Sequence, residues 1–457
     1  MKGKIADMLL KYSALGRISF SMPGHKQRGI NPWGAYDVTE LPDTDSLHHP
    51  SGAVEKAEKR IAQIFSCDRS LIMVNGSTGG IFAMLAAACR RGEKVLVSRI
   101  SHMSVINACV ALGLEPIFFE HILYEKYSIY GGADLGDIKK KLEENDVSAI
   151  LVTSPNYYGI VSDIKSIRSM AKDIPLLVDE AHGAHFFAGD FLPQSAVRYC
   201  DMAVQSAHKT LDGLNQSAFL HINGGDALQE RARAVSRFFQ TSSPSYIIAA
   251  SAESAAESVA KDPSGWENTY RACVELKNRL RKNTELLIPD RSDGFFDIDE
   301  TRPVFNFSRY DITGHGAGDF LRKECGIDIE MSDTENIVLI ATPSNSVHDF
   351  EALGAALEKL CKDLKKSSAG AKRYIVPPLE KTEIMPSEAF YSASEYVPFR
   401  CAEGKISAAV VTVYPPGVPL CVPGSRITQE CVKYLENCGG EIVGMKDGMV
   451  KVLKGEF

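Results

Sequence analysis

Between residues 71 and 222 the chain repeats one pattern seven times, a short apolar run followed in most cases by a stretch of helical period. The apolar runs are residues 71–75, 94–98, 115–120, 148–154, 175–179, 202–206 and 217–222. Helical spacing fills most of the gaps, at 81–91, 103–112, 135–144 and 164–172. Continuous apolar strands that alternate with helices predict a parallel sheet covered on both faces. Ligands of such sheets sit beyond the carboxyl ends of the strands. Gly76, Ser98, Ser154, Asp179 and Ser206 all fall there.

Two of these strand ends carry a specific chemistry. One run ends in Asp179-Glu180-Ala181-His182, and another in Ser206-Ala207-His208-Lys209-Thr210. A lysine past one strand and an aspartate at the end of another suit pyridoxal phosphate (PLP). The amine forms a Schiff base with the aldehyde, and the carboxylate pairs with the pyridinium nitrogen. His208 lies close enough to act as an acid or base at the reacting carbon. Gly76-Ser77-Thr78, between a strand and a helix, offers a close backbone approach, free N–H groups and two hydroxyls to a phosphate. Taken alone, that segment reads as an ordinary helix start with flexible glycines. It lacks both the P-loop lysine and a GxGxxG, which disfavours nucleotides. His102, after the second run, can stack on a cofactor ring, and Ser206 can reach its phosphate.

Composition narrows the remaining classes. At 457 residues about two to four domains are expected. A net charge of −7 gives no support for a nucleic-acid or anionic-membrane binder. The longest clean apolar run, 81–89, is far shorter than a membrane span. Eleven scattered cysteines without a C-x-x-C pair point to reduced thiols, a cytoplasmic setting and no metal site.

The motifs in order are Pro-Gly-His-Lys (23–26), Thr-Glu-Leu to Leu-His-His-Pro-x-Gly (39–52), Val-Asn-Gly-Ser-Thr-Gly-Gly (74–80), Asp-Glu-Ala-His-Gly (179–183), Ser-Ala-His-Lys-Thr-Leu (206–211) and Tyr-Pro-Pro-Gly-Val-Pro-Leu (414–420). Together they resemble the Orn/Lys/Arg decarboxylases, most of all their short bacterial branch. The resemblance runs from about residue 5 to the C-terminus.

It implies an α/β, aspartate aminotransferase-like (fold type I) PLP domain with a mostly parallel sheet, a smaller α+β domain and a strand-rich C-terminal α+β domain. The expected division is an arm at 1–30, a large PLP domain at 31–262, a small domain at 263–366 and a C-terminal domain at 367–457, with a linker at 365–370. It further implies Lys209 as the Schiff-base lysine, Asp179 as the pyridinium partner and His102 as the stacking residue. Gly76, Ser77, Thr78 and Ser206 would hold the phosphate, while Ala181 and His182 line the ring. A homodimer or larger homo-oligomer is implied, with Ser242 in the 241–243 loop reaching the neighbouring subunit's phosphate. The implied reaction converts arginine, lysine or ornithine to its amine and CO2, a step of polyamine biosynthesis.

Two other readings stand beside this one. A different fold type I reaction, such as transamination or aldol cleavage, would use Arg302 or Arg309 for a substrate carboxylate. A regulatory paralogue would bind PLP without turnover. Similar enzymes read Pro-Gly-Glu where this chain has Pro423-Gly424-Ser425. That glutamate helps hold the substrate's distal cation, and its loss removes a contact of roughly 1.5–3 kcal/mol, about ten- to a hundred-fold in affinity. Asp43, Asp45 or Glu388 would be the carboxylate to take over that contact.

Overall fold

The computed structural model describes residues 3–28, 32–366, 376–414, 417–438 and 441–455. Residues 367–370 of the expected linker and Pro415-Pro416 of the Pro-Pro-Gly motif lie outside them. The chain divides into two compact units, residues 1–88 with 175–263 and residues 89–174 with 264–457.

Each of the seven apolar runs forms a strand: β1 (Arg69–Met73), β2 (Lys94–Ser98), β3 (Glu115–Phe119), β4 (Ala149–Thr153), β5 (Leu176–Asp179), β6 (Met202–Ser206) and β7 (Ala218–Ile222). In the first unit the order is β1-β7-β6-β5. Strands β5 and β6 are parallel, with Asp179 opposite Val204. Strand β7 departs from the parallel expectation and runs antiparallel to both β6 and β1. The cause is length: a parallel return needs a crossover of a dozen or more residues. The connection between β6 and β7 is only 207–217, part of it spent on the single helical turn Ala207–Thr210.

The register aligns the strand ends. Ala218 sits opposite Met73 on one side and Ser206 on the other, so β1 and β6 finish at the same edge. Helix Gly76–Ala88 leaves that edge and lies against β6. A Cβ on Gly80 would come within 2.5 Å of Val204 Cγ2, so only glycine allows this approach. The N-terminal arm forms helix Lys4–Ala14, which buries Ile5, Leu9 and Tyr12. The side chain at its N-cap, Gly3, offers no acceptor, and the Glu253 carboxylate takes the N–H groups of Lys4 (2.6 Å) and Ile5 (2.9 Å) instead.

In the second unit β2 pairs in parallel with both β4 and β3. An antiparallel hairpin, His121–Tyr124 with Ile129–Ala133, follows β3 and was not foreseen from the sequence. Helices Gly314–Cys325 and Val347–Asp363 cover a three-stranded sheet around Phe305, Phe307, Leu321 and Leu357, the small α+β part. The C-terminal part has two three-stranded sheets and helix Gln429–Asn437 around Val411, Leu420, Cys431 and Val452. Arg99, one residue beyond β2, is 1% exposed. Its guanidinium donates to the carbonyls of Pro377 (2.9 Å) and Pro419, tying the strand end to the C-terminal part. No helix among the described residues is long and apolar enough to cross a membrane.

Candidate functional site

Of the strand-end residues singled out above, Gly76, Asp179 and Ser206 lie at one edge of the sheet in the first unit, whereas Ser98 and Ser154 belong to the second. Ser206 N–H donates to the carbonyl of Ala181 (3.3 Å), which joins the two motif-bearing ends directly. Asp179 closes β5, is 4% exposed, and accepts the Ala181 N–H at Oδ1 (3.2 Å). Lys209 sits in the turn after β6, half-buried, with Nζ 3.2 Å from His182 Nε2. The lysine and the Asp-Glu-Ala-His histidine are thus hydrogen-bonded across 27 positions of sequence. His208 Nδ1 lies 2.9 Å from the Ser217 carbonyl, an acceptor only, so Nδ1 carries the hydrogen and Nε2 is the basic nitrogen.

The phosphate candidates stand at the end of β1. Gly76 adopts φ +68°, and a Cβ there would meet nothing within 4 Å, so the backbone faces open space. Its N–H donates to Gln216 O (2.8 Å), which pins this turn to the segment before β7. Ser77 is half-buried and Thr78 exposed in the first turn of the helix, where N–H groups lack intrahelical acceptors. The loop holding Ser242 is anchored beside them. Phe239 O accepts from Asn75 Nδ2 (3.0 Å), Gln240 Oε1 from Val74 N–H (2.8 Å), and Thr241 O from His48 Nε2 (2.7 Å). Ser242 itself is exposed.

The hydroxyls of Ser206 and Thr210 are buried with no hydrogen-bond partner among the described residues. Buried hydroxyls are normally satisfied, so each orphan is a position where a ligand atom or a water can bond. Two orphan hydroxyls, an open glycine turn at a helix start, a lysine and a buried aspartate fit a phosphate-bearing aldehyde cofactor such as PLP. Thr210 carried no role in the sequence reading, although it completes the Ser-x-His-Lys-Thr motif.

His102 belongs to the second unit. It caps helix Met103–Leu112, its Nδ1 accepting Ser104 N–H (3.2 Å), with the residue exposed. The structure therefore places every residue assigned to the cofactor except His102 in one unit, while Arg302, Arg309 and Glu388 belong with His102 to the second. Of the three carboxylates expected as partners of the distal cation, Asp45 is spent on the N–H groups of Ser46, Ser51, Gly52 and Val54. Burial pushes its pKa up, but those four bonds together hold it below the ordinary value. Asp43 pairs with Arg17, and Glu388 is exposed in helix Pro386–Tyr391.

Comparison with known proteins defines the class first. The chain superposes on the lysine decarboxylase of Francisella novicida with a TM-score of 0.84 at 20% identity, covering 99% of this chain and 81% of that one. A serine palmitoyltransferase variant solved with PLP matches with a TM-score of 0.55 at 16% identity, over 67% of this chain and 76% of that one. The fold is accordingly that of the fold type I PLP enzymes. Residues 4–304 match the Orn/Lys/Arg decarboxylase major domain and residues 372–441 the C-terminal domain of the same family. An arginine decarboxylase of Bacillus anthracis is 33% identical over 98% of this chain and 95% of its own length. The chain belongs to the Orn/Lys/Arg decarboxylase family of PLP-dependent enzymes.

Proposed function

We propose that the chain decarboxylates a basic amino acid, arginine first among them, to its amine and CO2. The observation that carries this reading is the buried edge where Lys209 meets His182 beside Asp179. Relatives named arginine decarboxylase favour arginine over lysine and ornithine.

When bound, PLP supplies an electron sink for the pair released at the α-carbon as the carboxylate leaves. The chain's own groups then divide the work. Lys209 Nζ would hold the cofactor's aldehyde carbon, and Asp179 would keep the ring nitrogen protonated. Ser77, Thr78, Ser206 and the helix start at Gly76 would bind the phosphate. Ala181 and His182 would line the ring beside Asp179, and His102 would be the stacking residue. His182, bonded to Lys209, steadies the amine. His208 Nε2, after taking a proton from solvent, or Lys209 Nζ would deliver a proton to the α-carbon, the Nδ1 of His208 being committed to Ser217.

The reading includes a homodimer in which Ser242 reaches the neighbouring subunit's phosphate, a cytoplasmic setting, and a role in polyamine synthesis. It keeps the four-part division into arm, large, small and C-terminal domains with boundaries near 30, 262 and 366. The test is amine release from a mixture of arginine, lysine, ornithine and neutral amino acids, read by mass spectrometry with Lys209→Ala beside it. One decarboxylated basic product, absent in the variant, is the expected outcome. PLP held without release of any amine would replace this reading with that of a regulatory paralogue.

A further inference from the structure

Glu180 follows Asp179 directly and has no part in the chemistry above. It is 1% exposed and accepts three hydrogen bonds, from Ser195 Oγ (2.6 Å), Ala196 N–H (2.7 Å) and Gln205 Nε2 (2.7 Å). Gly183 is the reason it fits, since a Cβ there would lie 2.7 Å from Glu180 Cγ. From Gln205 the contacts continue. Gln205 Oε1 is 3.1 Å from His221 Nε2, His221 Nδ1 is 2.8 Å from Ser70 Oγ, and Ser70 Oγ is 3.2 Å from Cys67 Sγ. Gln205, His221 and Ser70 are each 1% exposed or less and stand on β6, β7 and β1.

The chain of bonds has one direction. Above its pKa of about 7 Glu180 is ionised and only accepts, so there Gln205 turns its NH2 toward Glu180 and its oxygen toward His221. His221 must then carry its hydrogen on Nε2 and accept at Nδ1 from the Ser70 hydroxyl. Burial pushes the imidazole pKa down to about 3, so the ring is neutral and has a single hydrogen to place.

We infer that Glu180 is a positioning residue: through a directional hydrogen-bond chain over β6, β7 and β1 it sets the strand ends that carry Asp179 and Ser206. Gln205 and Ser206 are consecutive on β6 and point to opposite faces, so the chain braces the sheet from behind the cofactor edge. The inference rests on the proposed function only in taking that edge as the PLP site.

The experiment compares the wild type with Glu180→Gln, Gln205→Glu and the reciprocal double variant. The apoproteins are titrated with PLP by visible absorbance, and the His221 tautomer is read by NMR of 15N-histidine-labelled protein. Glu180→Gln keeps a single oxygen, and with that oxygen held by the Ala196 N–H the new NH2 faces the Gln205 NH2. Relief requires reversing the chain, so His221 moves from Nε2–H to Nδ1–H and PLP affinity falls about ten-fold or more. The double variant restores the polarity, with Nε2–H at His221 and PLP affinity within about three-fold of wild type. Wild-type affinity and an unchanged tautomer in Glu180→Gln would overturn the inference. So would a double variant that binds no better than the singles, which decides the question even if Glu180→Gln alone fails to fold. Wild-type protein that does not bind PLP at all would overturn the proposed function, while the tautomer readout would still test the chain.

Discussion

At position 425 the chain carries a fully buried serine whose Oγ donates to Val422 O (2.9 Å) and accepts Val422 N–H (3.0 Å). The hydroxyl is consumed by its own turn, so it offers nothing to a substrate. Ser425→Ala should leave KM for a basic substrate within about two-fold of wild type in steady-state kinetics. It should lower stability by about 1 kcal/mol in denaturant unfolding, because a buried N–H loses its acceptor. At this scale Lys209, Asp179 and the Gly76 turn were legible, since each is a residue type that one chemistry requires at a strand end. The pairing of Lys209 with His182 and the orphan hydroxyl of Thr210 were not. Both depend on how two strand ends far apart in sequence lie side by side, and no spacing rule encodes that.

Helix Gly76–Ala88 shows how one element sets the site. Its N-terminus can face a phosphate only because Gly80 lets it settle against Val204 of β6. Gly80→Ala should overpack that contact and cost about 1–3 kcal/mol in thermal or denaturant unfolding, with weaker PLP retention in the folded fraction. An unchanged melting temperature would show that the helix is free to shift. Apolar runs announced all seven strands, and helices Met103–Leu112 and Leu135–Glu144 match the sequence expectation residue for residue. The direction of β7 did not follow from its apolar run, because a run reads the same parallel or antiparallel. Only the short 207–217 link carries that information. The His121–Tyr124 hairpin escaped for a related reason: its glycines and polar residues blunt the alternation that marks a strand.

For the molecule as a whole, buried titratable groups set the response to acid. Burial holds His121 at about 4 and His221 at about 3, below the ordinary 6.5. Their stabilising share is present above pH 6.5 and is lost as pH falls toward those values. Glu180 has the opposite sign, since burial raises it to about 7 against its three hydrogen bonds. The folded state therefore binds this proton more tightly than the unfolded chain, and the term adds stability as pH drops from 7 toward 4.5. Removing it in Glu180→Gln should deepen the stability loss between pH 7 and pH 5 by about 2 kcal/mol, measured by urea unfolding at both values. An identical pH dependence in wild type and variant would mean that Glu180 does not titrate in this range.

By itself the sequence determined the strand–helix alternation, the family and the residue types at the strand ends. These are local properties, set by hydrophobic period and by the chemistry a cofactor demands. Only the tertiary structure decided which strand runs backwards, which carboxylates are already spent on backbone N–H groups, and which buried hydroxyls lack partners. It alone joins Glu180 to His221 through Gln205. Hydrogen bonds have direction and finite reach, so their partners are chosen by register and packing between segments that the sequence keeps far apart.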